Sequence, residues 1–139
     1  MEPAEARRRF EAARVARLAT ASRDGRPHLV PITFAVEGDS IVTAVDHKPK
    51  RTLALKRLAN IAENPRVAVL VDEYSDDWER LWWARADGTA AVVEPDADDH
   101  ARLVRLLAAR YDQYRSNPPA GPAIVVAVER WSGWLARPT

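Results

Sequence analysis

The chain has 139 residues, of which 47% are apolar and 29% charged, and its formal net charge is +1 at pH 7. These values predict one globular domain over residues 1–139, with a single sizeable core. The lack of cysteine excludes disulfides, thiolate metal sites and a cysteine nucleophile, and three scattered histidines argue against a dedicated metal site. Because the sequence has neither an apolar run of about 18 residues nor a signal-peptide segment, we expect a cytoplasmic protein with no membrane partner.

The first predicted element is a short polar helix over residues 4–15. Phe10, Ala13 and Val15 are its candidate contacts with the body of the protein. The arginine run at residues 7–9 is interpreted as a solvated face of this helix.

The next segments have the composition of β-strands. Turn sequences RDGRP and EGD separate three stretches rich in Val, Ile, Thr and Phe, namely ARLATAS, HLVPITFAV and SIVTAV. The pattern predicts a β-meander of antiparallel strands. Pro31 lies inside the second stretch, where it cannot donate to the ladder. It therefore predicts an edge, a bulge or a break that exposes neighbouring backbone groups to a ligand.

The rest of the chain predicts two helices and further strands. A helix over residues 50–63 would bury one face, formed by Leu55, Leu58, Ile61 and Ala62. The run RVAVLVDE suits a central strand, and DDWERLWWARADGTAAVVE suits one long strand or a pair.

A second helix, DADDHARLVRLLAARYDQY, would turn Leu103, Leu106, Leu107 and Tyr111 inward, before a last strand in PAIVVAVERWSGWLARP. About six mostly sequential strands with inserted helices predict a mainly β or α+β domain, built as a six-stranded antiparallel barrel.

The stretch HKPKRTLALKR, residues 47–57, gathers five Lys or Arg and no acid. Its helix is expected to begin near residues 49–52, where unpaired N–H groups and about half a positive charge already favour an anion. Cations at that end oppose the helix dipole, so their placement is explained by a bound phosphate or carboxylate. The candidate anion ligands are Lys48, Lys50 and Arg51 with the Thr52 hydroxyl, and Lys56, Arg57 and Asn60 would extend the positive surface.

Two other interpretations of this basic stretch remain open. In the first interpretation, the Lys and Arg side chains cover leucines on a solvated helix. In the second they would contact nucleic acid. The cluster is compact, the chain as a whole is not basic, and no recognition helix or RNA-binding aromatic motif is found. A small anionic ligand and no nucleic-acid partner are therefore expected.

No set of residues predicts catalysis by side chains alone. Neither a Ser–His–Asp arrangement nor paired carboxylates can be identified, and the clustered acids lie where capping explains them. Trp82 and Trp83 must point to opposite sides of a strand, so one can enter the core while the other needs a subunit interface or a flat ring ligand. An enzyme of this composition would depend on a cofactor for its reactivity.

Three stretches together resemble a known family: VARLATASRDGRPHLVPITFAVEGDSIV, KPKRTLALKRLANIAENPRVAVLVD and DDWERLWWARADGTAAVV. They resemble the pyridoxamine 5′-phosphate oxidase-like split β-barrel flavoproteins. The most similar branch is the small single-domain one that depends on the deazaflavin cofactor F420. The most specific part is the basic stretch followed by NPRVAVLVD.

The resemblance implies a homodimer with cofactor sites at the subunit interface. It implies that Lys48, Lys50 and Arg51 hold the cofactor phosphate, that Thr43, Ala44 and Val45 line the cofactor, and that Pro31, Ile32 and Thr33 offer backbone groups to its ring. A long acidic tail on F420 would also engage Lys56 and Arg57. Trp83 replaces a polar side chain that often contacts the cofactor in flavin-dependent relatives, which favours F420 over FMN.

The expected function is that of an F420-dependent oxidoreductase, a reductase that passes hydride to a small electron-poor organic substrate. The chain lacks the Lys and the Arg-x-His that grip the substrate in true pyridoxamine phosphate oxidases, so vitamin B6 oxidation is not expected. The alternatives are an FMN-binding oxidoreductase of the same fold and a non-catalytic carrier of F420, flavin or heme.

Overall fold

A computed structural model describes residues 1–45 and 51–137, with the backbone alone for residues 51–55. Among these residues no helix is both long and apolar enough to cross a bilayer. A 3₁₀ turn spans Trp78–Arg80. The helices and strands, in chain order, are α1 (Pro3–Ala12), β1 (Ala16–Ala21), β2 (Pro27–Ile32), β3 (Ala35–Glu37), β4 (Ser40–Ala44), α2 (Arg51–Glu63), β5 (Arg66–Glu73), β6 (Trp82–Val93), α3 (His100–Arg110), α4 (Asp112–Ser116) and β7 (Ala123–Leu135).

The described strands form one antiparallel sheet in the order β2-β1-β5-β6-β7-β4-β3. Its two edge strands, β2 and β3, follow each other in the chain and are joined by only Thr33 and Phe34. Because so short a connection cannot cross an open sheet of this width, the sheet curls until its edges meet at that corner. The result is the predicted split barrel with flanking helices.

The strand count and the β-meander were predicted wrongly. The sheet has seven strands rather than six, because the stretch HLVPITFAV divides into β2 and β3 at opposite edges. At the division the backbone bonds to side chains instead of a neighbouring strand. The Thr33 carbonyl accepts a hydrogen bond from Thr43 Oγ1 (2.7 Å), and the Phe34 N–H donates to the Tyr111 hydroxyl (3.2 Å). Pro31 lies in an edge strand two residues before this break, as its position predicted.

The barrel interior is filled from two sides by helices. Phe10 of α1 makes edge-to-face contacts with Phe34 and Trp131, at centroid distances of 5.9 and 5.3 Å, and Ile61 of α2 joins the same buried cluster. Helix α1 ends at Ala12, three residues before the predicted end, and so Val15 is 44% exposed instead of packed. The predicted contacts of Phe10 and Ala13 with the core are confirmed.

Helix α2 turns a slightly different face inward from the one predicted. Asn60 is buried and Ala62 is exposed, because Asn60 Nδ2 donates a hydrogen bond to Thr20 Oγ1 at 3.1 Å inside the barrel. This bond ties the middle of α2 to β1. A buried amide is stable when it has a hydrogen-bond partner. The prediction that Asn60 extends the positive surface is therefore wrong.

A second apolar cluster covers the outside of β4. Leu103 and Leu107 of α3 are buried against Val42, Ala44 and Ala123, as the helical spacing predicted for the two leucines. Both faces of β4 are therefore packed, one against the barrel interior and one against α3. Packing on both faces thus fixes β4 close to the point in the chain where the basic stretch begins, at residue 47.

Candidate functional site

Helix α2 begins at Arg51. This residue lies within the range, residues 49–52, that was predicted for the start of the helix. Lys48, Lys50 and the side chain of Arg51 lie outside the described residues, so their proposed contacts with an anion stay predictions. The first-turn N–H groups of a helix have no intrahelical acceptor, and so this end of α2 retains the anion-binding capacity that every helix N-terminus has.

Arg57 is a half-buried cation within the basic stretch. Its side chain is half-buried, its Nε is shielded from solvent without a hydrogen-bond acceptor, and no acid among the described residues pairs with it. Desolvation by burial lowers the pKa of the Arg57 guanidinium. A partly buried, uncompensated cation destabilises a fold. We interpret it as one half of an ion pair whose other half arrives with a ligand.

Lys56 differs from its neighbour in being exposed. It faces the turn between β1 and β2, where the pKa of the Asp24 carboxyl is lowered, most by the hydrogen bond from Ser22 Oγ and more weakly by the Lys56 charge. Lys56 is thus an exposed cation near the Asp24 carboxyl, and its contact with a ligand stays a prediction.

The structure brings Thr33 and Thr43 together, two of the residues singled out from the sequence. The Thr43 hydroxyl donates to the Thr33 carbonyl, and the Thr33 hydroxyl shares a 2.8 Å hydrogen bond with the Tyr114 hydroxyl. Pro31 is exposed and Ile32 is buried in the barrel core. Since β2 pairs with β1 on one side only among the described strands, the other side of β2 is where its backbone groups are open to a ligand.

The end of β4 is fixed by the loop before β7. The Val45 N–H donates to the Pro122 carbonyl at 2.9 Å, and His100 Nε2 donates to the Gly121 carbonyl at 2.8 Å. Thr43, Ala44 and Val45 are all buried, with Ala44 packed beneath α3. Burial therefore leaves the side chains of Ala44 and Val45 little surface for a ligand.

Gly121 is required at this point because of a close approach. A Cβ added there would lie 2.6 Å from the Val45 carbonyl oxygen, a backbone atom that cannot rotate away. We expect Gly121→Ala to push the end of β4 outward, to destabilise the fold by about 1–3 kcal/mol and to weaken anion binding at the adjoining basic stretch. Thermal denaturation and ligand titration measure the two effects. Wild-type values in both would contradict the contact.

Trp82 and Trp83 point to opposite sides of β6, as predicted. Trp82 packs partly against the core, with the Arg9 guanidinium carbon 4.6 Å from its ring centroid, and Trp83 faces outward beside Arg85 at 5.5 Å. Pro31 faces outward too, but β1 and β5 lie between β2 and β6. At the usual strand spacing the two residues are about 14 Å apart. A single chain therefore does not bring Trp83 to Pro31.

The outward face of β2, β1, β5, β6 and β7 leaves some apolar side chains exposed. Leu29 is 66% exposed and Trp134, the register partner of Trp83, is 46% exposed. The apolar run RVAVLVDE forms β5 inside the sheet, as predicted, and its outward residues Ala68 and Leu70 are half-buried. The exposed charged pairs Arg17–Asp72 and Arg85–Asp87 lie on the strands between Leu29 and Trp134.

Sequence reasoning missed the polar cluster that holds the corner between β2 and β3. Arg110 donates to the Phe34 carbonyl at 2.9 Å and to the Glu11 carbonyl at 3.0 Å, and it also donates to the Ala13 carbonyl. Burial lowers the pKa of Arg110, which has carbonyl acceptors but no carboxylate partner among the described residues. Helical spacing signalled that Tyr111 turns inward, but nothing local signalled what its hydroxyl and Arg110 would bind.

Metal chemistry has no support in the described part of the chain, where no group of three or more His, Asp or Glu is placed to hold an ion. The described residues offer three features, namely Arg57 without an acceptor, the open edge of β2, and β4 packed on both faces. A ligand with an anionic group and a body that lies along backbone would use all three.

Comparisons with known proteins agree on the fold. The chain matches the family described as pyridoxamine 5′-phosphate oxidase over residues 3–135. No protein of curated function matches it in sequence.

Solved structures similar to the whole chain include a FAD-binding protein from Mesorhizobium loti (22% identity, 96% of this chain and 94% of that one, TM-score 0.73). The heme storage protein HutZ from Vibrio cholerae is similar too (17%, 97% and 95%, 0.69), as is a FAD-binding protein from Mycobacterium smegmatis (19%, 96% and 94%, 0.63). At these identities the similarity establishes the architecture alone.

Proposed function

The chain belongs to the pyridoxamine 5′-phosphate oxidase family, and on this basis we propose that it is an oxidoreductase using a phosphate-bearing flavin or deazaflavin, with F420 as the cofactor. The observation that carries the proposal is Arg57. Its half-buried guanidinium lacks an acceptor in the described chain, and a cofactor phosphate would supply both the acceptor and the opposite charge. Lys48, Lys50 and Arg51 are proposed to bind the same phosphate.

The chain's own residues would bind and orient the cofactor rather than react. Arg57 and the N-terminal N–H groups of α2 would hold the phosphate, and the backbone groups of Pro31, Ile32 and Thr33 on the edge strand β2 would be available to the ring. The hydrogen bond from the Thr43 hydroxyl to the Thr33 carbonyl fixes the end of β2. Hydride transfer requires that the protein hold the two reactants in a fixed orientation. The bound cofactor supplies the hydride chemistry at its ring.

The choice of F420 rests on two residues. Trp83 stands where flavin-dependent relatives often place a polar contact, and exposed Lys56 adds a cation beyond Arg57 that an acidic tail would use. Two of the solved structures with this fold are described as FAD-binding, which favours a flavin of the FMN type as the alternative.

We further propose a homodimer with the cofactor at the subunit interface. A second copy laid on the outward face would cover Leu29, Leu70 and Trp134. It would also let the partner's Trp83 approach the ring, which Trp83 of the same chain cannot do across two strands. Sedimentation of the purified protein tests this assembly, since a monomer mass at micromolar concentration would contradict it.

The cofactor is identified by titrating the purified protein separately with F420, FMN and FAD, after recording its absorbance spectrum. If the cofactor is F420, we expect a dissociation constant for F420 in the micromolar range or below. Tight FMN or FAD binding without F420 binding would contradict F420 and would identify the cofactor as a flavin. Binding of none of the three would refute the proposal.

A non-catalytic carrier is the second candidate, favoured by the similarity of the fold to a heme storage protein and by the lack of a side-chain catalytic set. The two functions separate in a turnover assay. Reduced cofactor is offered with a panel of enones, unsaturated ketones and quinones. Binding without oxidation of the cofactor by any of them supports a carrier, whereas turnover supports the oxidoreductase.

A further inference from the structure

A small surface pocket lies where α3 is followed by α4, beside the segment that joins α1 to β1. Its volume is about 280 Å³. Small-molecule sites typically measure roughly 300–1,000 Å³, so an occupant of this pocket would be small. Of the described residues assigned above to the cofactor, none lines it. The lining residues are Arg14, Arg110, Tyr111, Asp112 and Gln113.

The two arginines of this lining have no carboxylate partner in the described chain. Most other ion pairs of the chain join an arginine to an acid at 2.6–3.8 Å, but none of them includes Arg14 or Arg110. The acid in the lining, Asp112, pairs instead with Arg115, which lies outside it, at 3.4 Å. Two cations around the pocket are therefore left without a matching anion.

The two guanidinium groups lie close together around one aromatic ring. The distance from Cζ to the Tyr111 ring centroid is 4.6 Å for Arg14 and 5.6 Å for Arg110. Burial is the main cause that lowers the pKa of Arg110, and the Arg14 charge lowers it further, whereas Tyr111 and Glu11 raise it. Like charges repel, and an anion placed between the two arginines would remove that repulsion.

Both guanidinium groups are held in position, but only Arg14 keeps most of its donors free. Arg110 donates to three backbone carbonyls. Arg14 donates from Nη2 to the Arg110 carbonyl at 3.0 Å, the one hydrogen bond that its side chain donates within the described chain. A guanidinium has five N–H groups in one plane, and stacking on Tyr111 fixes that plane. Arg14 can therefore supply hydrogen bonds to a ligand, while Arg110 supplies mainly charge.

We propose that this pocket binds a small dianionic oxyanion, either inorganic phosphate or the phosphoryl group of a small ester. The free N–H edge of Arg14 binds two of its oxygens, because the arginine fork matches phosphate geometry. The Arg110 charge stabilises the second negative charge, and Gln113 is the further polar side chain of the lining. The site goes beyond the proposed function and uses other residues.

The test is an NMR titration of the full chain with inorganic phosphate at constant ionic strength, following the side-chain amide of Gln113. Saturable binding is expected, with a dissociation constant in the millimolar range or below. Arg14→Gln should weaken it about tenfold or more, because a charge-assisted bond is lost. Arg105→Gln removes an exposed arginine from α3 and should leave it unchanged. Methyl phosphate distinguishes the two sources, since tighter binding than that of phosphate identifies an ester and weaker binding the free ion.

The cofactor site would bind phosphate too, so the two sites are separated by variants. Arg57→Gln should leave the Gln113 response unchanged, and Arg14→Gln should leave cofactor affinity unchanged. Thermal melting confirms that each variant is folded. If Arg14→Gln does not fold, Arg14→Lys takes its place with a smaller expected loss, because lysine keeps the charge without the planar edge.

Three results would overturn the site. They are a Gln113 response that does not saturate with phosphate, a loss in Arg105→Gln as large as that in Arg14→Gln, and disappearance of the Gln113 response in Arg57→Gln. The last result would assign the bound phosphate to the basic stretch and would leave the proposed cofactor site standing.

Discussion

Arg57→Gln is expected to weaken cofactor binding by about tenfold to a hundredfold while leaving the fold as stable as before or slightly more so. The loss follows from the removal of a charge-assisted bond to the phosphate, worth about 1.5–3 kcal/mol. The stability gain follows from the removal of a half-buried cation that has no acceptor in the described chain. Calorimetric titration and urea denaturation measure the two effects on the same preparation.

The opposite signs make this variant informative. A residue needed only for folding would lose stability and affinity together. Arg105→Gln serves as the matched control, because Arg105 is an exposed arginine on α3 far from the basic stretch in the chain. Unchanged affinity in Arg57→Gln, or an equal loss in Arg105→Gln, would mean that the anion site lies elsewhere.

Arg110→Ala is expected to destabilise the protein by about 2–4 kcal/mol, and so to lower Tm by roughly 10 °C. The Arg110 guanidinium bonds the carbonyls of Phe34, Glu11 and Ala13 and stacks on the Phe34 ring at 4.8 Å. It thereby joins the end of α1, the corner between β2 and β3, and α3. Its removal takes a donor from the Glu11 and Ala13 carbonyls, and leaves the Phe34 carbonyl with the Tyr111 hydroxyl as its donor at 3.0 Å.

Two substitutions bracket this result. Arg105→Ala, on the same helix but exposed, should change the free energy of unfolding by no more than about 0.5 kcal/mol. Arg110→Lys keeps the charge but cannot reach three carbonyls from one planar group, so it should fall between wild type and Arg110→Ala. A wild-type Tm for Arg110→Ala would show that the corner is held by Tyr111 and Tyr114 without it.

Local sequence signals predicted most elements of the fold. The turns RDGRP and EGD place Gly25 and Gly38 at φ of 86° and 58°, values that favour glycine, and each turn closes an antiparallel hairpin. Helical spacing predicted Leu103 and Leu107 in the core, and alternation predicted the opposed faces of Trp82 and Trp83. Each of these signals lies within one element.

The break at Thr33 and Phe34 could not be predicted in this way. It depends on hydrogen bonds of Thr33 and Phe34 with Arg110, Tyr111 and Tyr114, which are 76 to 81 positions away in the chain. Pro31 predicted a break nearby but not that β3 would pair at the far edge of the sheet. The inward turn of Asn60 likewise required Thr20, 40 positions away, as its partner.

The sequence predicted an anion site from its cluster of cations, but it did not predict which of these cations is buried. The excess of cations pointed to an anion, and it included Arg57, but the sequence did not distinguish this half-buried residue from exposed Lys56. Arg57 and Lys56 differ in burial because Arg57 lies nearer the side of α2 that faces the barrel. The structure therefore singles out Arg57 as the half-buried cation that a ligand would neutralise.

The most direct test is a crystal structure of the protein with its bound cofactor. We expect the phosphate within hydrogen-bond distance of the Arg57 guanidinium, about 2.7–3.0 Å, at the N-terminal end of α2, with the ring along the edge of β2. A cofactor whose phosphate binds away from α2, with Arg57 contacting only solvent, would contradict the account.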